Sequence, residues 1–178
     1  PRHETPSTLR TGVVDTIDNP YLPLRPGARW VYEGETDDGT ERIEVEVTTD
    51  RHTVRGIEAT VVRDTAYLDG EMIEDTLDWF VQDDEGNVWY LGEQTAEYED
   101  GEVVSTKGSW EAGVDGALPG IVMPADPTVG DAYRQEYLAG EAEDMGEVIR
   151  TGGTASTPAG SYTDVVVTRD WTPLEPDV

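Results

Sequence analysis

The sequence predicts an all-β fold built as an antiparallel meander. Along residues 43–47 and again along residues 73–81, apolar side chains alternate with polar ones. A period of two is typical of strands that have one covered face. Asp-Gly pairs at residues 69–70 and 100–101 supply the positive φ that two-residue hairpin turns require. Strands of this kind, joined by such turns, form hairpins with neighbouring strands antiparallel.

The first 28 residues predict an extended arm. They contain five prolines, at positions 1, 6, 20, 23 and 26. Proline fixes φ and removes a backbone donor, so it disfavours both helix interiors and central strands. We therefore expect residues 1–28 to form an extended arm that is neither strand nor helix, and residues 29–178 to form a single β domain.

The meander is expected between Arg29 and Ser105, where about six strands fit between the turn signals. After it, residues 107–131 are rich in Gly and Pro but also contain Trp110 and several aliphatic side chains. A solvated linker has no use for so many apolar residues, so this stretch predicts a long ordered loop packed on the sheet. Strands are expected again at residues 132–138 and 162–171.

The charge of the chain is its most unusual property. It contains 39 Asp and Glu against 12 Lys and Arg, for a formal net charge of −27. Such a surface repels itself unless salt shortens the Debye length, to about 3 Å near 1 M. A high-salt habitat explains the composition, and a GC-rich genome explains equally well why Lys107 is the only lysine. The same charge argues against nucleic acid and anionic membrane surfaces as partners.

Few residues are suited to catalysis. The chain has no cysteine, and its two histidines, His3 and His52, fall in the arm and near a predicted turn. No serine lies in a nucleophile-elbow context and no glycine motif for phosphate is present. These observations favour a non-catalytic role.

One group of carboxylates is a candidate metal site. Oxygen-rich clusters suit Ca²⁺, which takes 6 to 8 oxygen ligands. A solvated acidic face is the competing interpretation in so acidic a chain. No other cofactor is expected. The candidate ligands are Glu141, Glu143, Asp144 and Glu147.

A buried ion pair is also predicted. If Leu77 and Trp79 face inward, Asp75 shares their face, and a buried carboxylate needs a cation, hydrogen bonds or a proton. Arg134, on a later predicted strand, is the expected partner. A polar network that fixes strand register is the alternative to a functional role, and Asp75 is the first candidate for a catalytic carboxylate.

Aromatic side chains supply the candidate ligand site. Tryptophan and tyrosine are spread over most predicted strands, whereas the chain contains one phenylalanine. They suit either an aromatic core or a concave sheet face that holds an apolar or glycan-like ligand. The expected contacts are Trp79, Tyr90, Trp110, Tyr133, Gln135 and Tyr137.

Five stretches of the sequence carry a resemblance to a known family. They are NPYLPLRPGARWVYEG at 19–34, DWFVQDDEGNVWYLGE at 78–93, STKGSWEAGVDGALPGIVMPADP at 105–127, GDAYRQEYLAGEAEDM at 130–145 and TPAGSYTDVVVTRDWTPLEP at 157–176. Together they resemble an uncharacterised family of exported bacterial and archaeal proteins. The opening PLRPGARWVYE and the later TPAGSYTDVVV are also similar to elements of periplasmic lipoprotein carriers. That likeness implies a curved sheet or open half-barrel. The resemblance to the uncharacterised family implies no particular activity.

The sequence therefore predicts an exported binding protein, extracellular or attached to the cell envelope. Because the chain begins at Pro1, we expect a longer gene product, with either a removed leader or trimming as the cause. Its partner is expected to be a small molecule held on the sheet. The alternatives are a Ca²⁺-binding surface protein and a subunit of an extracellular assembly. In that assembly the proline-rich arm would add as a strand to a neighbouring copy.

Overall fold

The computed structural model describes residue 9 and residues 12–174, and it confirms the all-β fold. A curled antiparallel sheet of ten strands forms a half-barrel, and a second sheet has three strands. The described chain contains no helix that is long and apolar enough to cross a membrane. The strands are β1 (Val13–Val14), β2 (Arg29–Thr36), β3 (Gly39–Val54), β4 (Ile57–Leu68), β5 (Glu71–Asp83), β6 (Val88–Glu99), β7 (Glu102–Ser105), β8 (Trp110–Glu111), β9 (Leu118–Met123), β10 (Ala132–Arg134), β11 (Glu136–Tyr137), β12 (Met145–Thr157) and β13 (Gly160–Trp171).

Strands β2 to β7 form the expected six-stranded meander, each antiparallel to the next. Both residues of the Asp69-Gly70 turn have positive φ, at 50° and 87°, as a type I′ hairpin requires. The Arg55-Gly56 turn uses the same conformation, although its sequence is a weaker turn signal.

The described part of the arm packs on its own sheet. Its two-residue strand β1 pairs with β5, and the side chains of Ile17 and Leu24 are buried against the sheet. Asn19 is 2% exposed and donates through Nδ2 to the carbonyls of Gly86 and Pro124. The arm is thus a strap that joins the β5–β6 turn to the later loop. Residues 1–8, with His3 and Pro6, lie outside the described residues.

The stretch 107–131 is packed on the sheet, and part of it is regular. It contributes β8 and β9, which both pair with β6. Trp110, Ala112 and Ala117 are buried. The predicted loop therefore contains two short strands joined by turns.

The region after residue 131 divides between the two sheets. Strand β10 pairs with β12 in the smaller sheet, whereas β11 pairs with β9 in the half-barrel. Gln135 separates these two short strands. In the smaller sheet the order is β10, β12, β13, so that β13 is an edge.

Two apolar clusters stabilise the half-barrel. One gathers around Trp79, Trp89 and Trp110, and the other lies between the arm and the sheet around Val47 and Val62. The central strands are thus covered on both faces near their middle. Polar side chains in that region are consequently enclosed as well.

Candidate functional site

A groove of about 790 Å³ opens on the sheet where β3 is irregular. Val47 pairs with Val62, but the next paired residue of β3, Arg51, lies opposite Thr60. The extra residues between them bulge away from β4, and Thr48 Oγ1 donates to the Val61 carbonyl across the gap. Bulges of this kind bend a strand and open space beside it.

The floor of the groove is apolar and its rim is polar. Val61, Leu77 and Trp79 form the floor, and Trp79 is 7% exposed. Arg63 and Gln94 stand on the rim. A floor of this kind with convergent polar groups is the usual composition of a small-molecule site.

His52 covers part of this floor. Its ring stacks on Trp79 with the ring centroids 3.8 Å apart and the planes 18° from parallel. Its Nε2 lies 3.1 Å from Oε2 of Glu111 on β8. The sequence predicts a position near a turn and no role for His52, whereas in the structure His52 lies inside the groove.

Asp75 lies in the same groove, and its predicted partner was wrong. Arg63 binds it through two hydrogen bonds, Nε to Oδ1 at 2.7 Å and Nη2 to Oδ2 at 2.9 Å. Arg134 instead donates to the Pro119 carbonyl at 3.0 Å. The reason is local: the Asp69-Gly70 hairpin sets Arg63 diagonally across from Asp75, whereas Arg134 is on the far side of β9. The Asp75 side chain is also 21% exposed, so the pair is on the rim and not in the core.

A second polar cluster is enclosed among β5, β6 and β8. The Tyr90 hydroxyl lies 2.5 Å from both Asp78 Oδ1 and Glu93 Oε2. One hydroxyl has one proton and donates to only one carboxyl group. The second contact is a hydrogen bond when the other carboxyl group is protonated and donates to the phenolic oxygen. Both contacts are thus satisfied when one of the two carboxyl groups is protonated.

The electrostatics of this cluster agree with its geometry. Burial raises the pKa of Asp78 to about 8, because the charged form loses its hydration. Burial likewise raises the pKa of Glu93, and it raises that of Tyr90 well above its ordinary value. Coupled groups of this kind titrate as a unit.

Glu136 extends the carboxyl cluster from the other side. It accepts a hydrogen bond from Trp110 Nε1 at 2.8 Å, and the Trp110 ring meets Tyr90 edge to face. Burial, followed by the nearby charge of Glu93, raises the pKa of Glu136 to about 7. Alternation along residues 73–81 puts Asp78 on the face opposite Trp79, and no sequence pattern marks Glu93 or Glu136 as buried.

The six predicted ligand contacts are not brought together. Tyr90 and Trp110 are buried in the core, whereas Trp79 lines the groove. Tyr133 packs over Gly146 in the smaller sheet, and Gln135 donates there to Asp170 at 3.0 Å. Tyr137 lies under the Arg134 guanidinium, 5.3 Å from it. Because the strand is interrupted at Gln135, its two halves serve different sheets.

The four candidate metal ligands are used separately. Glu143 accepts from the Gly140 amide at 2.8 Å, and Glu147 binds Arg169 at 2.5 Å. Glu141 and Asp144 are exposed. Within residues 12–174 no three acidic or histidine side chains are arranged to hold a metal ion.

Comparison of the chain with family profiles, curated proteins and solved structures finds no significant match. The groove offers an apolar floor with a polar rim, and the carboxyl cluster offers buried acids with raised pKa values.

Proposed function

We propose that this chain is a non-catalytic binding protein that holds a small molecule in the groove over Trp79. The molecule has an apolar or sugar-like flat face and polar groups at its edge. The observation that carries the proposal is the groove itself, which has a volume of about 790 Å³, an apolar floor and a polar rim.

The stacked His52 supports a flat ligand group. Its ring already occupies the accessible side of Trp79 at van der Waals distance. A pyranose face or a planar ring has the same thickness, so it takes the place of His52 when the contact between His52 and Glu111 opens. Aromatic faces bind sugars and planar groups in this way through dispersion and CH contacts.

The rim supports a ligand with hydrogen-bond acceptors. Arg51 and Arg63 both line the groove, although the chain has only 12 Lys and Arg. Arg63 is held in place by Asp75, which leaves part of its guanidinium directed to solvent, where it is 51% exposed. A carboxylate or hydroxyl on the ligand is the matching group.

The export of this protein, to the extracellular space or the cell envelope, is part of the same proposal. Its support is the resemblance of the sequence to exported proteins. The proposed partner of the groove is a small molecule, because a volume of about 790 Å³ is in the range of small-molecule sites.

Filling the groove tests the proposal. Thr49 is exposed at the groove wall, so Thr49→Trp blocks the space without disturbing the core. Thr106→Trp makes the same change on an exposed turn away from the groove. We expect wild type and Thr106→Trp purified from the native host to carry a small molecule in native mass spectra, and Thr49→Trp to lack it. A molecule retained equally by Thr49→Trp contradicts the proposal.

A further inference from the structure

The hairpin of β12 and β13 leaves the body of the protein as a two-stranded ribbon, defined here as residues 149–168. Strand β10 pairs with β12 only through Met145, Gly146 and Glu147. Beyond Val148, the two ribbon strands pair with each other, and no other described strand pairs with either of them. Both outer edges of the ribbon thus present backbone donors and acceptors.

The ribbon is exposed on its faces as well. Ile149 is 47% exposed and Tyr162 is 49% exposed. Three consecutive valines, at positions 165–167, are only partly covered. A two-stranded hairpin without a packed face is marginally stable in water. This segment therefore gains stability from a partner.

The charge of the ribbon differs from that of the rest of the chain. Residues 148–163 form the longest stretch of the sequence without Asp or Glu, and the ribbon has one Arg and one Asp, so its net charge is zero. Open strand edges are commonly protected by charged side chains. The other long hairpins have charged tips, basic at Arg55 and acidic elsewhere, whereas the tip here is Thr157-Pro158-Ala159-Gly160. The acidic tips contain Asp37 and Asp38, Asp69 and Glu71, and Glu99, Asp100 and Glu102.

We infer that the ribbon is a homodimerisation surface, and that β13 of one copy pairs with β13 of a second copy. Two molecules with a formal charge of −27 repel each other over most of their surface. The neutral ribbon is the place where they approach without setting carboxylates against each other. A two-fold axis makes such an interface self-complementary, and strand addition satisfies the open edge.

A two-fold antiparallel pairing of the two β13 strands sets one residue opposite its own copy, because the axis is perpendicular to the sheet. Centred on Val166, the pairing sets Val165 opposite Val167 of the partner subunit, so partly exposed valines cover each other. Tyr162 is 49% exposed and lies four residues from this axis on the same strand, so a charge introduced there falls within the interface.

This inference differs from the assembly expected from the sequence. There the proline-rich arm was the donor strand, but residues 12–28 are held against their own sheet by β1 and Asn19. The assembling element inferred here is at the other end of the chain. It does not depend on the ligand groove.

Sedimentation velocity in about 2 M NaCl tests the inference, because salt at that level screens the repulsion between copies. Tyr162→Glu introduces a charge on the ribbon. Tyr32→Glu is the matched control, since Tyr32 is 57% exposed on β2, the open edge of the other sheet. We expect the wild type to dimerise and Tyr162→Glu to raise the dimer Kd at least about tenfold. Tyr32→Glu should leave the Kd within about twofold. A wild type that is monomeric at all concentrations overturns the inference, and so does a dimer that Tyr162→Glu does not weaken.

Cross-linking supplies a second readout that does not depend on a disruptive change. The chain has no cysteine, so a single introduced cysteine is its only thiol. Val166→Cys lies near the proposed axis and should give a covalent dimer with a flexible bis-maleimide. Val31→Cys on β2 should remain monomeric. Equal cross-linking of the two variants, or none at Val166→Cys, contradicts the pairing through β13.

Discussion

Asp78 and Glu93 share one hydroxyl group. Each has a carboxylate oxygen 2.5 Å from the Tyr90 phenolic oxygen, although that hydroxyl can donate only one proton. Both residues lie in one row across the sheet, where Asp78 of β5 is paired with Glu93 of β6. The row is enclosed by Trp110, so the two acids cannot both be charged without loss of stability.

The first prediction concerns pH. The folded pKa of Asp78 is raised to about 8 and that of Glu136 to about 7, so the folded chain binds more protons than the unfolded chain between pH 4 and those values. At acid pH both groups are neutral and their burial does not lower the free energy of unfolding. As pH rises through their folded pKa values they become charged, and the free energy of unfolding falls. We expect the free energy of unfolding to fall between pH 5.5 and pH 8.5.

Asp78→Asn tests the origin of that pH dependence. Asparagine is neutral at all pH values and its amide can donate to the Tyr90 oxygen. At pH 8.5 we expect the variant to be more stable than wild type by about 2 kcal/mol, and its pH profile to be flatter. Glu97→Gln makes the same charge change at an exposed position of β6 and should leave the profile unchanged. Urea unfolding across the pH range measures the stability of both variants. If the stability of Asp78→Asn still falls steeply between pH 5.5 and pH 8.5, Asp78 is not the origin of the pH dependence.

The second prediction concerns Asp83, which is 2% exposed. It accepts hydrogen bonds from the amides of Glu85 and Asn87, from Asn87 Nδ2 and from Trp89 Nε1, at 2.7 to 3.0 Å. Asp83→Ala leaves these donors buried without an acceptor and should cost about 3 kcal/mol. Asp84→Ala removes the same charge from the exposed neighbour and should change stability by less than about 0.5 kcal/mol. Similar losses in the two variants, measured by urea unfolding, would show that charge and not this network is responsible.

The third prediction concerns Gly92, where β8 approaches β6 most closely. A Cβ at Gly92 would lie 2.3 Å from the Trp110 carbonyl oxygen and 2.9 Å from Glu111 Cα, and its φ is 141°. Backbone atoms cannot rotate away, so Gly92→Ala should separate β8 and destabilise the chain by more than about 3 kcal/mol. Gly34→Ala has open space around it and should be tolerated. The thermal unfolding midpoints of the two variants test this prediction. If Gly92→Ala unfolds at the same temperature as wild type, β8 does not pack against β6 as described.

The fourth prediction concerns salt. Several acids line a groove of about 530 Å³ at the open end of the sheet, where burial and Glu74 raise the pKa of Asp64. With a net charge of −27, repulsion grows as the Debye length lengthens from about 3 Å at 1 M to about 10 Å at 0.1 M. We expect the unfolding midpoint to fall on dilution from about 2 M to 0.05 M NaCl. An unchanged midpoint would favour genome composition over habitat as the origin of the acidic surface.

The meander could be predicted because its information is local. Alternation and turn residues lie within a few positions of each other, and the six strands between Arg29 and Ser105 follow directly from them. The pair of Arg63 with Asp75 was not part of that local information, because a bulge at Ile73 decides it: Tyr67 pairs with Met72, but Ala66 pairs with Glu74. An uninterrupted count from the turn would place Arg63 and Asp75 on opposite faces of the sheet.

The buried carboxyl cluster could not be predicted, because two irregularities decide it. Trp79 pairs with Gly92 and Phe80 with Tyr90, so a bulge at Leu91 turns Tyr90 toward Asp78. Trp110 then covers the row from a segment whose path the sequence pattern does not specify. Strand β12 escaped prediction for a similar reason: its outer half has no apolar alternation, because it is exposed on both faces.

The most direct test of the proposed ligand groove is an NMR titration of ¹⁵N-labelled protein with two probes, decanoate and maltotriose. Decanoate represents an apolar body with an anionic head, and maltotriose represents a glycan. The proposal predicts saturable shifts with at least one probe below about 5 mM, concentrated at the amides of Thr48–His52, Arg63 and Gln94. Shifts at another surface, or no shifts with either probe, would contradict it.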